Sequence, residues 1–246
     1  VICSVAYALG VPGGTLRTAS QVALVPTWFL AAYVLVVATT PVALRLWERW
    51  GWWSIAGGLM LGGLVDWVSL GGGIMGEGVF AVGFVNYLLV WGTVHQFGFA
   101  WQDGSLHGVG RRTLLVVLGL GALVLLVWRL PYPISMIGVD TIAVNNSYPT
   151  RVTLGFLGMA QAGVLLLAEP WLARWLLRAG PWKAIILVNV RIMTLYLWHL
   201  NAMVLVIGLA LLAGGVGLRA EPLTGTWWAL RPLWYAVLAA VTAGLI

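Results

Sequence analysis

Residues 184–213 read AIILVNVRIMTLYLWHLNAMVLVIGLALLA, and Arg191 is the one formal charge in the run. About 20 consecutive apolar residues are enough for a helix to cross a hydrocarbon core of about 30 Å, and this run is longer. A helix on the surface of a soluble protein keeps a charged face opposite its apolar stripe, and none exists here. The solvent for this segment is therefore lipid. Working outward, further apolar runs fall at 22–47, 52–70, 79–101, 113–128, 152–168 and 233–246. Together they predict an all-α fold, a polytopic transmembrane helical bundle of about seven spans. Residues 1–11 are apolar but too short to cross, and the break Pro12-Gly13-Gly14 ends them, so they read as an N-terminal partial span. No linker interrupts the pattern, and 1–246 is taken as a single membrane domain.

Composition agrees. Of the chain, 61% is hydrophobic and 8% charged, against roughly a quarter charged in a soluble domain. Many of the 16 Trp, including Trp47, Trp50, Trp52, Trp53, Trp101, Trp182, Trp227 and Trp228, lie near the ends of runs, where indole rings favour the headgroup layer. The net charge of +6 is spread over isolated or paired basic residues, which argues for topology signals and excludes a nucleic-acid partner. The single cysteine, Cys3, excludes an internal disulfide, and no zinc-type spacing is present, so no metal is expected. No basic segment or cleavage signal marks a signal peptide at the start. Turns carrying Arg45 and Arg49, then Arg111 and Arg112, then Arg174, Arg178 and Lys183 alternate with less basic loops. The positive-inside rule makes these turns cytoplasmic, and with them the C-terminus of a multi-pass protein of the plasma (inner) membrane. Arg17, Arg129, Arg151, Arg219 and Arg231 fall on the opposite side. Asn145-Asn146-Ser147 fits a glycosylation sequon but reads foremost as a polar turn before the next helix.

Polar groups inside spans carry the functional signal, because hydrocarbon makes them costly. On 184–213, at about 100° per residue, Asn189 and Tyr196 nearly superpose, with His199 and then Arg191 further round the same side. Arg191 lies about 10 to 12 Å beyond Lys183 at 1.5 Å per residue. Its planar fork suits a phosphate or carboxylate, and His199 suits a general base. A second set, Asn86, Trp91, His95 and Gln96, lies on 79–101, where His95 sits at a depth similar to that of Arg191. Asp66 reads as interfacial, His107 as solvated among Gly104, Ser105 and Gly108, and the Gly58 to Gly62 spacing as a site of close helix approach. No nucleophile elbow, phosphate loop, zinc-protease motif or dinucleotide fingerprint occurs.

Three stretches resemble the membrane acyltransferase-3 family in its actinobacterial, mycobacterial form. They are 86–101 (NYLLVWGTVHQFGFAW), 28–35 (WFLAAYVL) followed by Pro41, and 189–199 (NVRIMTLYLWH). The resemblance implies an O-acyltransferase that moves an acyl group from cytoplasmic acyl-CoA to a hydroxyl of an envelope carbohydrate or glycolipid. It implies His199 or His95 as catalytic base or its support, and Arg191, Asn189 and Tyr196 as the donor-binding set. The family's His in its first span and its Arg-x-x-Arg motif have no counterpart here, since no two arginines stand three apart. Both are expected upstream of Val1, which makes the chain a fragment of a larger domain that by itself transfers nothing. A transporter or flippase-like bundle, whose intramembrane Arg and His line a substrate path, is the alternative.

Overall fold

The computed structural model describes residues 13–70, 77–130, 132–136, 145–215, 217–218, 220–221 and 224–245, with the backbone alone at 13, 15–26 and 77–79. Among the described residues every regular element is helical: α1 (Gly13–Trp50), α2 (Trp52–Ser69), a 3-10 segment (Glu77–Val85), α3 (Asn86–Gln102), α4 (Val109–Arg129), α5 (Val152–Leu176), α6 (Ala179–Leu212) and α7 (Gly225–Gly244). The all-helical membrane reading holds. Thr27–Trp50, Val109–Arg129, Val152–Leu176 and Ala179–Leu212 are long and apolar enough to cross a bilayer. The expected count of about seven is thus four by this measure. The other helices fall short for visible reasons: α2 carries Asp66 among glycines and indoles, α3 has only 17 residues beyond its 3-10 entry, and α7 carries Arg231 and Pro232. The partial span at 1–11 lies outside the described residues. Gly13 and Gly14 are the first described residues of α1, and Pro12 lies outside the described residues.

Two compact units divide the chain, one formed by Ala32–Leu176 and the other by the stretches up to Ala31 and from Leu177. In the first, Gly51 takes φ 50, a left-handed conformation that a side chain would resist, and so lets α1 turn into α2 between Trp50 and Trp52. Trp47, Ile55, Leu59, Phe97, Leu106, Leu115 and Met159 form its core. Outside it, Leu114, Val117, Leu118, Val124 and Leu125 of α4 are exposed, an arrangement stable only where the surroundings are as apolar as the side chains. Helices α4 and α5 make the most extensive contact. Gly119 abuts Phe156 and Ala160, while Gly163 abuts Arg112 and Val116, so the two backbones touch through glycines on both sides. The expectation for Gly58 and Gly62 also holds, since they face Thr93 and Val90 of α3.

Pro170 lies inside α5 and has no N–H to give the carbonyl of Leu166 four residues earlier. Arg112 supplies the missing donor. Its Nη1 donates to the Leu166 oxygen, its Nη2 meets Glu169 Oε2 at 2.7 Å, and its Nε donates to the Leu106 carbonyl at 3.0 Å. Arg112 therefore joins α4 to α5 and to the loop before α4, in addition to its weight as a positive charge. In the second unit α6 packs on α7, and Phe29 lies against Tyr196 with ring centroids 5.1 Å apart.

Candidate functional site

Asp66 stands near the C-terminal end of α2 and is fully buried, not interfacial as its position in the sequence suggests. A carboxylate in such a place needs partners, and four donors reach it. Asn86 Nδ2 at 2.8 Å and Arg151 Nη1 at 3.2 Å donate to Oδ1, and the Tyr132 hydroxyl at 3.1 Å and the Val152 amide at 2.8 Å donate to Oδ2. Val152 is the first residue of α5, so a side chain of α2 places its negative charge at the N-terminus of another helix, where backbone amides and the helix dipole favour an anion. Arg151 is buried too and also donates to the Ser69 hydroxyl. Burial and then the neighbouring Asp66 charge push the Tyr132 phenol above its ordinary range, which keeps its proton available to donate.

Around this pair the loops on either side of 137–144 are fixed by side chains. Asn146 donates to the carbonyls of Pro133 at 2.8 Å and Ser135 at 2.9 Å and accepts from the Thr153 hydroxyl at 2.9 Å. Trp91 Nε1 donates to the Thr150 hydroxyl at 3.2 Å. Asn145 Oδ1 accepts from the Ser147 amide and hydroxyl, so the sequon segment is the polar turn that was expected. Asp66 has donors on both oxygens and no exposure, so its role is to hold α2, α3 and the start of α5 together. Two buried atoms of the cluster, Asn86 Oδ1 and Arg151 Nε, have no partner among the described residues.

The residues singled out from sequence are distributed between the units. His95 belongs to the Ala32–Leu176 unit, half-buried on α3, with its ring edge-on to Phe99 at 5.0 Å and a buried Nδ1 that has no partner among the described residues. Asn189, Arg191, Tyr196 and His199 all lie on α6 in the other unit. Asn189 is exposed and donates to the Ile185 carbonyl of its own helix at 3.0 Å. Arg191 is exposed, with no hydrogen bond or ion pair among the described residues. Tyr196 is half-buried beside Phe29, and its ring lies 5.6 Å from that of His199. His199 Nδ1 is 2.5 Å from the Tyr196 carbonyl oxygen. A carbonyl only accepts, so this contact places the proton on Nδ1 and the basic lone pair on Nε2. No three His, Cys, Asp or Glu side chains come together among the described residues.

A further cavity, of about 610 Å³, opens where α1 ends, α2 begins and α3 ends. Trp47, Trp52 and Phe99 wall it, and Glu48 and Asp103 bring carboxylates to it. Its residues received no role in the sequence reading beyond Trp anchoring. No protein-family model, curated protein or solved structure matches the chain.

Proposed function

We propose that the chain forms part of a membrane-bound O-acyltransferase, with His199 as the base that activates an acceptor hydroxyl and Arg191 as a ligand for the phosphates of acyl-CoA. The observation that carries this reading is the His199 to Tyr196 contact, which orients the ring and leaves Nε2 as the proton acceptor. In the proposed step Nε2 takes the proton of an envelope carbohydrate or glycolipid hydroxyl while that oxygen attacks the thioester carbonyl. The C–S bond then breaks, and the CoA thiolate leaves with the proton returned by His199. Arg191 stands eight residues earlier on α6, about 12 Å along the axis, so donor phosphates and reacting carbonyl engage separate points of one helix. Asn189 joins the donor end, and Tyr196 supports the base through its carbonyl. His95 remains the second candidate base. The same reading has α2, the rod from Glu77 through Gln102 and α7 also crossing the plasma membrane, with a cytoplasmic C-terminus.

Two substitutions in the natural membrane-embedded protein test it. His199→Gln should lower kcat for acyl transfer about 100-fold or more with little change in KM, as expected for loss of a general base. Arg191→Lys keeps charge but loses the planar fork, and should raise KM for acyl-CoA with kcat nearly unchanged. Parent-like transfer by both variants would sink the proposal.

A further inference from the structure

The last two turns of α1 sort their side chains by face. Leu44, Trp47 and Glu48 line the cavity, three and four residues apart, as a single helical stripe. Arg45 and Arg49, also four apart, form the adjacent stripe and are exposed. The cavity wall thus combines indole and phenyl faces with two carboxylates and no basic residue, in a chain that has 13 basic and only 7 acidic residues. Glu48 forms no ion pair or side-chain hydrogen bond among the described residues. Asp103 is held at the rim by the Trp47 indole at 2.8 Å and the Ser105 amide at 2.8 Å. Its slight burial works to raise the carboxyl, but the hydrogen bonds from Ser105 and Trp47 outweigh this and hold it below its usual range, so it carries charge at neutral pH. Carboxylates beside aromatic faces attract an ammonium group, while arginine forks attract phosphate. The place matters as well, because the cavity lies at the end of the candidate span Thr27–Trp50, and the end of a spanning helix is the level of the lipid headgroups.

We propose that this cavity binds the headgroup of a zwitterionic phospholipid, the ammonium entering between Trp47, Trp52 and Phe99 toward Glu48 and Asp103, and the phosphate resting on Arg45 and Arg49. The site is a lipid site independent of the acyl-transfer reading and of His199. A molecule with phosphate alone meets the carboxylates unfavourably, and one with ammonium alone leaves the arginines unused.

The test is lipid binding to the natural protein purified in detergent, followed by native mass spectrometry with three probes of matched chain length. Phosphatidylethanolamine carries both groups, phosphatidylglycerol only the phosphate, and a long-chain alkylamine only the ammonium. Phosphatidylethanolamine should bind about tenfold more tightly than either of the others, equivalent to about 1.4 kcal/mol. Glu48→Gln should remove most of that margin over phosphatidylglycerol, and Arg45→Ala with Arg49→Ala most of the margin over the amine, with helix content by circular dichroism unchanged. Asp103→Asn provides a second route to the first result. Equal binding of phosphatidylglycerol, equal binding of the amine, or a preference indifferent to both Glu48→Gln and Asp103→Asn would overturn the proposal.

Discussion

Arg151→Leu is expected to cost the Ala32–Leu176 unit about 3 to 5 kcal/mol, the usual effect of removing one partner from a buried ion pair. The side chains of Arg151 and Asp66 are 3% and 0% exposed, so neither charge has water to fall back on when the other is gone. Asp66→Leu should be worse still. It strands Arg151 and also the Tyr132 hydroxyl and the Val152 amide at the start of α5, and leaves the Asn86 amide only the Gly62 carbonyl at 3.2 Å. The double variant should cost less than the sum of the two, because the leucine at 66 faces no buried charge once Arg151 is also replaced. The pair Arg112 to Glu169 serves as the comparison. Its side chains are 11% and 37% exposed, and its Coulombic attraction is correspondingly screened, so Glu169→Gln should cost about 1 kcal/mol or less. Chemical unfolding in mild detergent, followed by circular dichroism, measures all four variants. Loss of less than about 1 kcal/mol in Arg151→Leu would show that the pair does not hold these helices together.

The helical class and the membrane setting were legible because they depend on hydropathy over windows of a span's length, and 184–213 alone suffices for them. Helix α6 and its polar residues were found for the same reason. What the sequence hid is pairing. Asp66 and Arg151 are 85 residues apart, and each taken alone resembles an interfacial charge; the cost of burying either was available as a warning, but a single sequence does not say which residue relieves it. Arg112 was hidden differently. In the first turn of α4, it has the look of a topology signal, and only the helix across from it reveals that Pro170 leaves the Leu166 carbonyl in need of a donor. The far end of α5 was missed because Pro170 is a helix breaker in water, whereas in lipid the backbone gains more by staying hydrogen-bonded than by ending. The cavity was illegible for the reason that made its tryptophans easy to place: indoles near span ends are so common as headgroup anchors that nothing marks Trp47 and Trp52 as walls of a site.

Gly119→Leu is expected to be among the most damaging single substitutions in the first unit, with a cost of about 3 kcal/mol or more. A Cβ built at 119 falls 2.7 Å from both the Phe156 carbonyl oxygen and the Ala160 amide nitrogen, and 2.9 Å from the Ala160 Cβ. Backbone atoms of a helix have no rotamer through which to yield, so α4 and α5 must separate or the backbone must bend. The seam offers no slack further along, since a Cβ at Gly163 falls 2.8 Å from the Arg112 carbonyl oxygen and 2.7 Å from the Val116 Cγ2. Separation would also weaken the Arg112 contacts with Leu166 and Glu169. For Gly119→Ala two effects oppose each other. Alanine favours the helix over glycine by about 1 kcal/mol, while overpacking costs about 1 to 3 kcal/mol. The steric effect should win, because the near atoms are backbone on one side and a methyl on the other. Gly121, two residues on in α4, has nothing within 4 Å of a built Cβ, so Gly121→Ala meets only the favourable effect and should leave stability unchanged or slightly raised. Thermal unfolding of Gly119→Ala and Gly121→Ala side by side decides the matter: equal stability would mean that α4 and α5 do not meet backbone to backbone at Gly119, whereas a clear loss confined to position 119 is what contact through paired glycines requires.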